Sequence, residues 1–246
     1  MNTYRSNAII AGVLYIIGTV AGILSLVLSQ PVRDAQDSLA GVAANANQVI
    51  VATLFVLLMG LSLAMVPVVL YPILRRFNEV LALGYVVFRG ALETVTYFVT
   101  AISWLLLLAL SQLYVQAGVP AAPGFQVSGA LLLKISSFTG IVFCLGAVMF
   151  YAVLYQSRLV PRWISVWGLA ALIPSLAAEF LALFALLDPV SATASLLHIA
   201  LAVQEMVLAV WLIVKGFSPS VLATGAARTD MKYKKAMVYE GSRGEA

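Results

Sequence analysis

The chain has 246 residues, 63% of them hydrophobic and 10% charged, and its mean hydropathy of +1.03 excludes an ordinary soluble domain. A single cysteine, Cys144, excludes an internal disulfide, and with His198 as the only histidine it also excludes zinc sites built on two histidines or several thiolates. A carboxylate-rich metal site stays open, and the formal net charge of +4 matters chiefly for where its cations fall along the chain.

A helix needs about 20 apolar residues, at about 1.5 Å each, to cross a hydrocarbon core of about 30 Å. Six runs meet that length: about 8–28, 49–70, 81–110, 130–155, 163–187 and 194–214. They are apolar on all sides and lack the short alternating segments of a membrane barrel. The expected fold is therefore an all-α membrane protein, a bundle of six transmembrane helices in one domain over 1–217. The first run is longer than the usual signal-peptide core of about 7 to 15 residues, and the small-residue stretch Ala44-Asn45-Ala46 lies too far downstream to be its cleavage site. It is read as a helix.

Cations fall in alternate connections. Arg5 precedes the first run, Arg75 and Arg76 follow the second, Arg158 and Arg162 follow the fourth, and Lys215 follows the sixth, whereas the other side has only Arg33. By the positive-inside bias both termini are expected in the cytoplasm, with the chain in the cell membrane. The outer connections, 30–48, 111–129 and 188–193, are too short for a domain, and the middle one (AGVPAAPGFQ) is rich in Gly and Pro. From 218 to 246 hydropathy falls and charge rises, which predicts a poorly ordered cytoplasmic tail whose Lys232, Lys234 and Lys235 face solvent or anionic lipid. Gly18 and Gly22 form a small-xxx-small pair, Trp163 and Trp167 beside Arg162 suit an interface, and Pro67, Pro72 and Pro174 are candidate kinks or helix ends. GVLYIIGTV from Gly12 and GIVFCLGAV from Gly140 share a glycine spacing. An inverted repeat of three helices on three would explain it and would relate Glu93 to Glu205, although chance likeness between apolar helices explains it too.

The third run carries charges in its middle. VVFRGALETVTYF places Arg89 and Glu93 four residues apart, one turn of a helix, so that they can pair on one face. An unpaired charge at the bilayer centre costs on the order of 2.5–3.5 kcal/mol, so this face must look inward. It continues through Thr96, Tyr97, Thr100 and Ser103. Glu179 in the fifth run, and His198 with Glu205 seven residues apart on one face of the sixth, complete a candidate buried polar site of Arg89, Glu93, Tyr97, Glu179, His198 and Glu205. Lys134 enters the fourth run from the outer side, placed to snorkel outward.

Two roles suit such a cluster. As a structural element it fixes helix register through buried ion pairs. As a site it passes protons between carboxylates and a histidine, which suits a proton-linked carrier or binding protein for a small solute. An intramembrane enzyme acting on lipid, with Glu93 or Glu205 as general base, has less support, since there is no second histidine, Asp-rich pair or GxSxG elbow. A non-catalytic partner or assembly protein is the third class. No cofactor and no nucleic acid are expected; the expected partners are the lipid bilayer and a small solute or proton.

Four blocks carry a resemblance: YPILRR from Tyr71, ALGYVVFRGALE from Ala82, YQSRLVPRWISVWGL from Tyr155 and EMVLAVWLIVKGF from Glu205. Together, over about 5–217, the chain resembles the bacterial and archaeal integral-membrane domain-of-unknown-function family 4386. The resemblance implies a multi-helix membrane protein and places Arg89, Glu93 and Glu205 inside recurring blocks. It carries over no activity, substrate or cofactor. Where the family pattern often has a proline shortly before the final-helix Glu, this chain has Ala200, Leu201 and Ala202.

Overall fold

A computed structural model describes residues 3–36, 39–118, 123–134, 139–189 and 191–223. Six helical segments are long and apolar enough to cross a membrane: α1 (Thr3–Leu28), α4 (Ala46–Leu74), the composite segment Glu79–Ala117, α8 (Thr139–Ser157), α9 (Arg162–Leu183) and α10 (Ala192–Val214). The fold is an all-helical six-span bundle, and no strand occurs among the described residues.

The spans close into a ring in chain order. α1 packs on α4 and α10, α4 on the third span, the third span on α8, α8 on α9, and α9 on α10. Close approach depends on small residues: a Cβ on Gly18 would meet Leu63 of α4 at 2.7 Å, and one on Gly12 would meet the Ala209 carbonyl of α10 at 2.6 Å. The core inside the ring gathers Tyr15, Leu70, Tyr85, Phe150, Tyr151, Leu208 and their neighbours. Pro67 and Pro72 lie inside α4 and Pro174 inside α9, and none ends its helix. α10 is continuous through Ala200–Ala202, in keeping with the missing proline.

Two expectations are corrected. The third span is a composite of α5 (Glu79–Tyr85), a π-helical turn (Val86–Leu92) and α6 (Glu93–Ala117), ending at Gly118 in the left-handed conformation that glycine adopts without strain. Its 39 residues reach about 58 Å at about 1.5 Å each, well beyond the hydrocarbon core. The run expected as one helix over 130–155 is described as two elements, α7 (Pro123–Lys134) and α8; Lys134 closes α7, and its side chain lies outside the described residues. The outer connections also fold. α2 (Gln30–Arg33), a 3-10 turn (Asp34–Gln36), α3 (Leu39–Ala44) and α7 form a cap whose Val32, Ala35, Leu39 and Val42 bury against Leu107 and Leu108 of α6. These pieces are too short to show in a search for spans, and they become stable by packing on one another and on α6.

The basic connections gather at one end of the bundle. Arg5 donates to the last carbonyls of α10, those of Leu212 (3.0 Å), Ile213 (2.5 Å) and Val214 (3.1 Å), a cation closing a helix C-terminus. Arg76 lies over the Tyr4 ring, and Asn78 donates to Gln156. The Ser218 amide donates to the Leu159 carbonyl, and Val221 and Leu222 pack on the core. Lys232, Lys234 and Lys235 lie outside the described residues.

Candidate functional site

Arg89 sits in the middle of the π turn. A π turn is wider than an α turn, and here two neighbours make room for it. On one side Gly146 of α8 stands so close that a Cβ there would meet the Arg89 amide nitrogen at 3.0 Å and its Cβ at 3.2 Å. On the other, Gly90 lies against Pro67 of α4, at 3.3 Å from the position of its missing Cβ. The guanidinium stands over the Phe143 ring of α8, 4.4 Å from its centroid.

Within the ring, Arg89 meets two carboxylates. Its Nη1 donates to Glu93 Oε1 at 3.0 Å and Oε2 at 3.1 Å, and its Nη2 donates to Glu205 Oε1 of α10 at 3.3 Å. Tyr97 donates its hydroxyl to Glu93 Oε1 at 2.7 Å, its ring resting on Gly60 of α4. The two acids differ. Glu93, 1% exposed beside an Arg89 side chain that is 3% exposed, accepts three hydrogen bonds, whereas Glu205 is 16% exposed and accepts one longer bond. With both acids ionised the trio carries a net charge of −1, so one more positive charge neutralises it.

Of the sequence-derived candidates, Arg89, Glu93, Tyr97 and Glu205 come together. Glu179 and His198 instead form a second pair, with His198 Nε2 at 3.4 Å from Glu179 Oε1 and side chains 39% and 21% exposed. Both sit toward the capped end, at the end of α9 and the start of α10, two turns along α10 from Glu205. No hydrogen bond or ion pair joins the two groups among the described residues. Gly140 of α8 makes room for Glu179, whose carboxylate occupies the place a Cβ would take. Thr96 and Thr100, expected on the polar face, bond the backbone of their own helix instead, at Glu93 and Thr96.

The sequence reading missed an aromatic shell around the trio. Tyr15 of α1 and Tyr85 of α5 share a hydrogen bond of 2.9 Å, Tyr85 stacks on Phe150 at 4.4 Å, and Tyr151 donates to Gln204 at 2.5 Å. Gln204 in turn donates to the Ile164 carbonyl of α9 at 3.0 Å, so α8, α9 and α10 are joined beside Glu205. Gln204, a polar amide next to Glu205 in an apolar run, was the available signal. The glycine echo puts aromatic rings at matching places, Tyr15 and Phe143, both serving the third span. Its glycines do not follow an inverted repeat: Gly12 meets α10 and Gly18 meets α4, which would send Gly140 to the third span and Gly146 to α9, and the partners are interchanged. Among the described residues no three His, Cys, Asp or Glu side chains gather as a metal would require.

The family model for a domain of unknown function, DUF4386, matches residues 10–216, spanning all of this geometry. The chain belongs to the DUF4386 family. No curated protein and no solved structure matches it. The DUF4386 region contains Arg89, Glu93 and Glu205 together with the aromatic shell, and it stops at the turn where Gly216 follows α10.

Proposed function

We propose that this DUF4386 protein is a proton-linked carrier or binding protein for a small solute, set in the cell membrane with both termini cytoplasmic. The reading rests on the unequal sharing of Arg89. Glu93 is saturated and holds the guanidinium in place, while Glu205 holds it by a single 3.3 Å bond and keeps part of its surface open. A proton arriving at Glu205 neutralises the trio and frees one arm of the guanidinium for an acceptor on a solute. Glu179 and His198 lie on the way from the capped end and pass protons inward along α10. The arginine bias supports a cytoplasmic position for the opposite, basic end.

The test uses proteoliposomes loaded with a pH-sensitive dye and challenged with a panel of small carboxylates, amines and sugars. Wild-type vesicles are expected to show a proton flux with at least one solute, and Glu205→Gln vesicles none. A Glu205→Gln protein that matches wild type with every solute refutes the proposal.

A further inference from the structure

Two clefts meet at Trp211 and Lys215, roughly two to three turns along α10 from Glu205. The first, about 540 Å³, opens at the basic end between Arg158, Arg162 and Lys215. The second, about 450 Å³, runs down the outer face of α10 along Val203, Met206, Val207, Val210 and Val214.

The basic cleft is built, and its charges are unspent. All three cations are exposed, and none forms an ion pair among the described residues. Arg162 lies over the Tyr155 ring, 4.8 Å from the centroid. The walls are fixed by the buried side chains of Leu159, Val160 and Phe217, and the 2.9 Å bond from the Ser218 amide to the Leu159 carbonyl ties the two sides of the cleft together. Three cations thus line one cleft whose walls are fixed before any ligand arrives, which lowers the ordering cost of binding an anion. The groove is apolar at helical spacing. From Val203 to Val214, at about 1.5 Å per residue, it covers about 16 Å, close to the roughly 15 Å depth of one leaflet. Trp211 stands at the junction, where an indole suits the level between headgroup and acyl chain.

We propose that this junction binds an anionic phospholipid, its phosphate held by Arg158, Arg162 and Lys215 and one acyl chain lying along α10. A free phosphate would use the cleft and leave the groove empty. A zwitterionic lipid would fill the groove and bring its own cation against three others. An anionic amphiphile satisfies both halves.

The purified full chain is incubated in detergent with equimolar phosphatidylglycerol and phosphatidylcholine of identical acyl chains, and retained lipid is counted by native mass spectrometry. Wild type is expected to prefer phosphatidylglycerol. Each basic side chain near the headgroups contributes several-fold, so Arg158→Gln/Arg162→Gln/Lys215→Gln loses on the order of a hundredfold of that preference. Lys215→Gln alone loses several-fold, which keeps the test sound if the triple variant fails to fold. Arg75→Gln/Arg76→Gln removes two cations from the same end outside the cleft and keeps the preference. Val207→Trp, which fills the groove, weakens retention of both lipids. Millimolar inorganic phosphate alone leaves the unfolding temperature unchanged. Equal retention of the two lipids, an unchanged preference in the cleft variants, an equal loss in the Arg75/Arg76 control, full retention by Val207→Trp, or stabilisation by phosphate matching that by lipid overturns the proposal.

Discussion

Removing the Arg89 guanidinium by Arg89→Gln strands two carboxylates inside the ring. Glu93, 1% exposed, keeps only the Tyr97 hydroxyl at 2.7 Å, and Glu205 loses its one side-chain partner among the described residues. Breaking a buried ion pair from one side costs about 3–5 kcal/mol. At about 2–4 °C per kcal/mol for a chain of this size, the unfolding temperature should fall by about 6–20 °C, read from intrinsic tryptophan fluorescence in a single detergent. The triple variant Arg89→Gln/Glu93→Gln/Glu205→Gln replaces all three charged groups with neutral amides and strands no charge, so it should recover most of that loss. The double variant Arg89→Gln/Glu93→Gln still strands Glu205 and should fall between the two. An Arg89→Gln protein within about 2 °C of wild type, or a triple variant no more stable than Arg89→Gln, would refute the reasoning and mean that water already compensates these charges.

Glu205→Gln leaves Arg89 paired with Glu93, so its fall in unfolding temperature should be less than half that of Arg89→Gln in the same assay. Tyr97→Phe deletes a hydrogen bond to a buried carboxylate, expected to cost about 1.5–3 kcal/mol in denaturant or thermal unfolding, with Glu93→Gln/Tyr97→Phe showing a smaller added loss than the two separate effects predict. Gly146→Ala puts a methyl 3.0 Å from the Arg89 amide nitrogen, against backbone that cannot turn aside, and should destabilise by about 1–3 kcal/mol, whereas Gly124→Ala, with open space around it, should be silent. Arg5→Gln removes the cation at the end of α10 and should cost about 1 kcal/mol, with faster amide exchange confined to the last turn of that helix.

The spans were readable because bilayer thickness converts directly into a run length. The Arg89 and Glu93 pair was readable because four residues make one turn, and charges in that setting need partners. Glu205 could be expected beside them only through elimination, since few other polar groups share its depth. The π turn had no sequence mark of its own: its width depends on Gly146 and Pro67, which belong to other helices. The seven-residue spacing put His198 on the face of Glu205 and suggested a single site, but spacing fixes only a face; the distance between groups is set by the packing, which pairs His198 with Glu179 instead. Tyrosines scattered through apolar runs look like ordinary core until the ring closes and sets Tyr15 against Tyr85 and Tyr151 against Gln204. The cap helices were too brief to announce themselves by periodicity.

That Arg89 has its stronger partner on its own helix also bears on how the chain is made. The third span leaves the ribosome long before the sixth, so Glu205 does not yet exist when Arg89 must enter the bilayer. A lone arginine or glutamate there costs on the order of 2.5–3.5 kcal/mol, while the pair one turn apart enters as a nearly neutral unit. Glu205 then arrives last, on the helix whose end Arg5 of the first span clasps. The order of synthesis thus separates a pair needed for insertion from a later carboxylate that meets a pocket already assembled.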